Sequence, residues 1–180
     1  PVDGTINFTH ALPLCGVSLA LVQDGQPVIG VIDLPFLGAV YTAVRGGGAH
    51  RDGRRIRASA VTRLRDAIVC HGDYGVGASA ARNPTRLALT AALARAALRV
   101  RLLGSAAVDL AWLANGITGA TIFLSNKPWD TAAGVIIARE AGAVVVDLDG
   151  TDHTLDSSAT VAAAPGVIDE FLAVVQSAIA

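Results

Sequence analysis

Two acidic residues far apart in the chain each sit where a carboxylate could meet a phosphate or a cation. Asp3 comes directly before Gly4 and Thr5, with Ile6-Asn7-Phe8 expected to open a helix. An aspartate there can bind a hard cation through oxygen. Gly4 lets the backbone approach a phosphate, and the mouth of the following helix offers unpaired N–H donors. The same triplet is also a common turn with an N-cap, so alone it stays open. The second acid, Asp130, lies in Lys127-Pro128-Trp129-Asp130-Thr131-Ala132-Ala133-Gly134, at the mouth of a helix whose small residues allow close packing on a sheet. It too could simply cap its helix beside a core Trp.

Other candidates are weaker. Gly104-Ser105-Ala106 follows a strand and opens a helix, and Ser105 can cap it while leaving backbone N–H groups exposed. Lys127, the only lysine, can face a substrate anion or sit solvated in a loop. Gly72-x-x-Gly75-x-Gly77 resembles a nucleotide-binding loop with altered spacing. Cys15 and Cys70 have neither a CxxC partner nor a histidine at ligand spacing, which argues against a disulfide framework or a zinc site and for a reducing cytoplasm. His10 and His71 lack a nucleophile at useful spacing and read as structural.

The elements that must position these groups follow from pattern. Cys15 to Val22, Val28 to Leu34 and Val40 to Val44 are β-rich runs, and Asp24-Gly25 and Asp52-Gly53 supply tight turns, so the first third reads as an antiparallel meander. Strand and helix then alternate. Strands are expected at Ala67 to Cys70, Val100 to Leu103, Ala120 to Leu124, Val144 to Asp147 and Thr160 to Ala163. Helices are expected at Asn83 to Leu98, Ala106 to Ala114, Thr131 to Ala141 and Ile168 to Ile179. The reading is an α/β, or layered α+β, protein: residues 1–66 form the antiparallel portion with the first acidic motif, and 67–180 the α/β portion with the second. No linker separates them, so one compact unit is expected.

Composition limits the partners. The chain has 180 residues, 52% of them hydrophobic and 16% charged, enough to bury a core and too apolar for disorder. A net charge of −1 leaves no basic surplus for a nucleic acid or an anionic membrane, and no apolar run is long enough to span a bilayer. All but one of the 14 basic residues are Arg, as a GC-rich genome would produce.

Taken together, the two acidic segments resemble the inositol monophosphatase family. Its members carry Asp-Pro-(Ile/Val/Leu)-Asp-Gly-Thr-x-Asn-Phe, matched here from Pro1 to Phe8, and Trp-Asp-x-Ala-Ala-Gly followed by Glu-Ala-Gly, matched by Trp129 to Gly134 and Glu140 to Gly142. Tyr41-Thr42-Ala43, Gly46-x-Gly48-Ala49 and Asp52-Gly53 look like the hairpin region between them. The resemblance implies an αβαβα sandwich and a Mg²⁺-dependent phosphomonoesterase in which a metal-activated water attacks phosphorus. It implies that Asp3, Asp130 and the Val2 carbonyl hold metal, that Gly4 and Thr5 hold phosphate with the Thr5 hydroxyl orienting water, and that Gly104, Ser105 and Ala106 line the substrate pocket, with Lys127 as the further substrate-binding candidate read from the residues alone. It also implies a homodimer for the whole protein and a small phosphate monoester as substrate: an inositol phosphate, sugar phosphate or histidinol phosphate.

Two departures qualify the expectation. The Asp that the family places before the Pro, and acidic residues further upstream, are not in this sequence. The 180 residues are therefore expected to lack the first helices and strands of the sandwich, to leave apolar surface uncovered and to be inactive by themselves. Relatives that cleave inositol phosphate also place a Glu six residues before the motif Trp, where this chain has Phe123. A polyol would lose a charge-assisted contact of about 1.5–3 kcal/mol, which points away from myo-inositol phosphate. The competing classes are an inactive fragment or paralogue serving binding or assembly, and a nucleotide-binding module using the Gly72 loop.

Overall fold

The computed structural model describes residues 2–125 and 127–179; Pro1, the first residue of the acidic motif, lies outside them. The meander forms a six-stranded sheet of β1 (Val2–Asp3), β2 (Gly16–Gln23), β3 (Gln26–Leu34), β4 (Ala39–Val44), β5 (Gly48–Arg51) and β6 (Arg54–Arg55). The strands lie in sequence order and every pairing is antiparallel. Asp24-Gly25 (φ 51°, 72°) and Asp52-Gly53 (φ 50°, 75°) adopt the paired positive φ of hairpin turns whose twist matches the flanking strands.

Register decides which side of this sheet faces inward. Pairing Leu19 with Val31, Leu21 with Ile29 and Ile29 with Val44 puts these side chains on one face, and Ser18, Ala20, Gly30, Ile32 and Ala43 on the other. The inner face is small where a helix must come close. A Cβ on Gly30 would stand 2.5 Å from Ile136 Cγ2 and 2.7 Å from the Ala133 carbonyl oxygen. On the outer face Val17, Leu19, Leu21, Ile29 and Val44 are exposed, an apolar surface of the kind that further polypeptide normally covers.

A second sheet, in the order β10-β11-β9-β7-β8, comprises β7 (Ile68–His71), β8 (Arg99–Arg101), β9 (Ala120–Phe123), β10 (Val144–Val146) and β11 (Thr160–Ala163). β7 runs parallel to β8 and β9, and the remaining pairs are antiparallel. The helices are α1 (Thr5–Thr9), α2 (Asn83–Ala96), α3 (Ala106–Ala114), α4 (Pro128–Glu140) and α5 (Ile168–Ile179). α3 and α4 lie between the sheets, while α2 and α5 pack together beyond the second, giving layers in the order sheet, helices, sheet, helices.

Element ends differ from expectation for local reasons. β8 stops at Arg101 instead of reaching Leu103, because the Leu103 carbonyl turns aside to accept the Asn7 side-chain amide at 2.7 Å. α4 begins at Pro128, three residues early, since proline's fixed φ suits the first helical position. Asp130 therefore sits within the first turn, and the N-cap position belongs to Lys127, which makes no side-chain capping bond.

Separate apolar clusters hold the layers. Ile32, Leu34, Tyr41, Val108 and Ile137 pack between the first sheet and α3/α4, and Leu64, Leu89, Leu93, Phe171 and Val175 between the second sheet and α2/α5. Each such side chain contributes about 1.5–3 kcal/mol. Glu140, at the unfavourable C-terminal end of α4, accepts the Gly46 and Gly48 amides at 2.8 and 2.7 Å and so ties the helix to the β4–β5 turn.

Gly134 sets the α3–α4 spacing. A Cβ there would lie 2.6 Å from Leu110 Cβ and 2.5 Å from its Cδ1, and the former cannot swing away. Gly134→Val is expected to separate the helices at a cost of about 1–3 kcal/mol, seen as a lower urea midpoint at unchanged m-value. Acid should destabilise the fold through His153. Burial, and secondarily Arg139, push its imidazole down to about 4 from the ordinary 6.5. The unfolded chain takes up this proton first, so stability present above pH 6.5 falls as pH drops towards 4 and the loss stops below it. Comparing urea midpoints at pH 7 and pH 5 tests this, and His153→Gln should flatten the difference.

Candidate active site

Asp3 ends β1 almost fully buried, directly against the N-terminus of α3. Its Oδ2 accepts the Ser105 hydroxyl at 2.6 Å and the Ala107 amide at 2.8 Å. Ser105 caps the same helix, its Oγ accepting from Val108 N at 3.3 Å. One carboxylate oxygen is thereby fixed by two donors, and Oδ1 makes no hydrogen bond among the described residues. Gly4 follows with φ 77°, and a Cβ on it would lie 2.8 Å from the Leu14 carbonyl oxygen, so the chain can turn here only with glycine.

α1 has five residues, too few for a substantial helix dipole, so any anion here would rely on individual backbone N–H groups. The Thr5 hydroxyl stands 3.5 Å from the Val2 carbonyl oxygen, at the outer edge of hydrogen bonding. Asn7, which no sequence pattern singles out, braces the segment: its amide donates to the Leu14 and Leu103 carbonyls, both at 2.7 Å.

Asp130 approaches from α4. Val2, Asp3, Gly4, Thr5, Gly104, Lys127 and Asp130 all line one open cleft of about 310 Å³, joined by Trp129. Partial burial raises the Asp130 pKa, the negative charge of Asp3 raises it further, and Lys127 opposes both. The two acids thus feel each other across the cleft. The Lys127 ammonium lies 5.9 Å from the Trp129 ring centroid, within cation–π range. Ser105 and Ala106 are not part of the cleft wall: Ser105 is buried behind it holding Asp3, and Ala106 opens α3.

The cleft also contains Asp73, which sequence reading passed over because one acid in a loop after a strand carries no pattern. Its Oδ2 would stand 3.0 Å from a Cβ placed on Gly104, whose φ of 71° already calls for glycine. Behind Asp3 lies Asp109, 1% exposed, with Oδ1 unpartnered among the described residues. Burial pushes its pKa well above the carboxylate range; the Cys70 thiol bonded to it pulls the other way, and the charges of Asp3 and Asp73 raise it again. The Cys70 thiol is itself pushed up, first by burial and then by Asp109, which makes it an inert core group.

The oxygen donors suit a hard cation: Asp3 and the like-charged Asp130 line one cleft, and a cation there would relieve their repulsion. Among the described residues no cluster of three or more His, Cys, Asp or Glu is placed to hold a metal. Phe123 ends β9, buried beside Gly72. The Gly72 loop is braced from within, Gly75 N donating to Asn83 Oδ1 at 2.7 Å and Gly75 O accepting from Asn83 Nδ2 at 2.9 Å. The Gly75 amide is thereby occupied.

Comparison with known proteins agrees with this geometry. The model of the inositol monophosphatase family matches residues 1–180. The chain is 40% identical over 179 residues to inositol-1-monophosphatase ImpA of Mycolicibacterium smegmatis, covering 98% of this chain and 64% of that protein. It is 37% identical over 177 residues to the Nus factor SuhB of Pasteurella multocida, covering 98% and 65% respectively. The crystal structure of extragenic suppressor protein suhB from Bartonella henselae superposes with a TM-score of 0.92 at 33% identity, covering 98% of this chain and 67% of that one. The chain spans a little under two thirds of the length of the curated relatives it matches. No described helix is long and apolar enough to cross a membrane. With two converging acidic motifs, a shared layered fold and a family match along its whole length, the chain belongs to the inositol monophosphatase family.

Proposed function

We propose that the protein containing this chain is a Mg²⁺-dependent phosphomonoesterase acting on a small phosphorylated metabolite, with its reaction centre in the Asp3–Asp130 cleft. The observation that carries this reading is the convergence of those two acids, remote in sequence, on one cleft beside Gly4 and Thr5. Asp3 Oδ1, the Asp130 carboxylate and the Val2 carbonyl would hold the cation. When bound, Mg²⁺ supplies charge stabilisation at phosphoryl oxygens and a water of lowered pKa.

The chain's own groups then have separate tasks. The backbone amides of Gly4 and Thr5 receive phosphate oxygens, where charge accumulates during transfer. The Thr5 hydroxyl, only weakly held by the Val2 carbonyl, is free to orient the attacking water. Lys127 offsets negative charge at the cleft edge, and Gly104 leaves room for the leaving alcohol. Ser105 serves by fixing Asp3.

The test is phosphate release by the whole protein from a panel of sugar, polyol, amino-alcohol and nucleotide monophosphates, with and without Mg²⁺. Turnover that requires Mg²⁺ is expected, with inositol phosphate disfavoured because Phe123 offers no acceptor. Equal turnover in chelator would refute the proposal. Binding or assembly without catalysis is the alternative, favoured by relatives of similar identity named as Nus factors; no release from any ester would select it. A homodimer is proposed from the family resemblance, and light scattering tests it.

A further inference from the structure

A second, more enclosed cavity of about 70 Å³ lies at the carboxyl ends of the parallel strands β7 and β9, walled by His71, Asp73, Arg86, Phe123 and Ser125. Asp73 also lines the cleft of Asp3 and Asp130 and so borders both spaces. Arg86 lines only the inner cavity and is 9% exposed.

Its guanidinium is incompletely satisfied. Nη1 donates to the Ser79 carbonyl at 3.2 Å and, at 3.4 Å, to Asn83 Oδ1. Nε and Nη2 make no hydrogen bond, and no carboxylate lies within ion-pair distance of Arg86 among the described residues. Neither nitrogen is sealed from solvent, so both stay open to an anion that enters the cavity. His71 does not compete for that anion, because its ring nitrogens are taken by the Gly72 carbonyl at 2.7 Å and the Thr90 hydroxyl at 2.9 Å.

Opposite charges that share a cavity without pairing define the complement they would accept. Proceeding inward from the cleft, the chain presents Asp73 at the boundary and Arg86 beyond it. A ligand matching this order carries a cation near the phosphate and an anion further in. The cavity is small and has room for a carboxylate. Phe123 adds an apolar wall where a polyol would need acceptors.

Resting on the phosphatase reading above, we propose that this cavity is the leaving-group subsite and selects phosphate esters of small amino acids. Asp73 pairs with the α-ammonium and Arg86 receives the carboxylate through its free nitrogens, in the forked geometry that guanidinium offers.

Isothermal titration of the protein with O-phospho-L-serine, phosphoethanolamine and phosphoglycolate separates the two charges. Phosphoserine is expected to bind at least ~10-fold tighter than either half-ligand, a difference worth one charge-assisted contact. Arg86→Gln should reduce phosphoserine to the level of phosphoethanolamine, with Arg86→Lys intermediate. Should Arg86→Gln fail to fold by circular dichroism, Asp73→Asn carries the test: it should weaken phosphoserine and phosphoethanolamine while phosphoglycolate holds or tightens. Phosphoserine binding no better than both half-ligands, or unchanged by either substitution, overturns the subsite. Mg²⁺-dependent hydrolysis of p-nitrophenyl phosphate by the wild-type protein reads the phosphatase proposal separately. Phosphoserine preference without that hydrolysis leaves the subsite standing and removes the enzyme, and hydrolysis without preference does the reverse.

Discussion

Asp130→Asn is expected to lower Mg²⁺-dependent phosphate release by roughly 10³-fold or more while leaving the protein at least as stable as before. The two effects have one cause. Asp130 makes no capping bond for α4, and both its partial burial and the charge of Asp3 work against its ionised form. Asparagine removes that repulsion and keeps the shape, so the urea midpoint should hold or rise. Function is lost because a neutral amide is a far poorer ligand for a hard cation than a carboxylate. A residue that destabilises its own fold yet cannot be replaced is what an active site predicts. Retained turnover would remove Asp130 from the reaction centre, and a large fall in stability would show that the acid serves the fold.

Much of this arrangement was legible in the sequence because its signals are local. Asp24-Gly25 and Asp52-Gly53 set the hairpins through their own backbone preferences. The small residues from Thr131 to Gly134 announced a helix packed tightly against its neighbours, and Gly30 and Gly134 sit at those contacts. What sequence reading missed depends on long-range neighbours. Asp73 becomes a site residue only because the chain after β7 returns beside Gly104, and Arg86 becomes notable only because no acid comes to meet it. Ser105 caps α3, one of the two roles its sequence context allows, but it does not line the cleft, and its hold on Asp3 joins β1 to α3 across the fold, which no local pattern encodes. The helix after Gly4 ends within five residues, with Ala11 at φ 57° just beyond it, while the Asn7 amide reaches the carbonyls of nearby Leu14 and distant Leu103, the latter a contact that propensity does not register.

Asp3 combines both kinds of role, and its substitutions should separate them. Asp3→Ala leaves the Ser105 hydroxyl and the Ala107 amide without their acceptor at a buried helix mouth, each donor costing about 1–3 kcal/mol. A loss of roughly 2–4 kcal/mol is expected after water entering from the cleft restores part of it, together with complete loss of turnover. Asp3→Asn behaves differently. Its side-chain oxygen can take the place of Oδ2 and accept both donors, so most of the unfolding free energy should return. The amide nitrogen then occupies the position of Oδ1, where a hydrogen-bond donor meets the space reserved for a cation, and turnover should stay absent. Stability restored without activity would establish that the inward oxygen holds the fold and the outward one carries the chemistry. If the Asn variant is as unstable as the Ala variant, the bonds to Ser105 and Ala107 require charge; if it is active, the cation does not depend on Asp3.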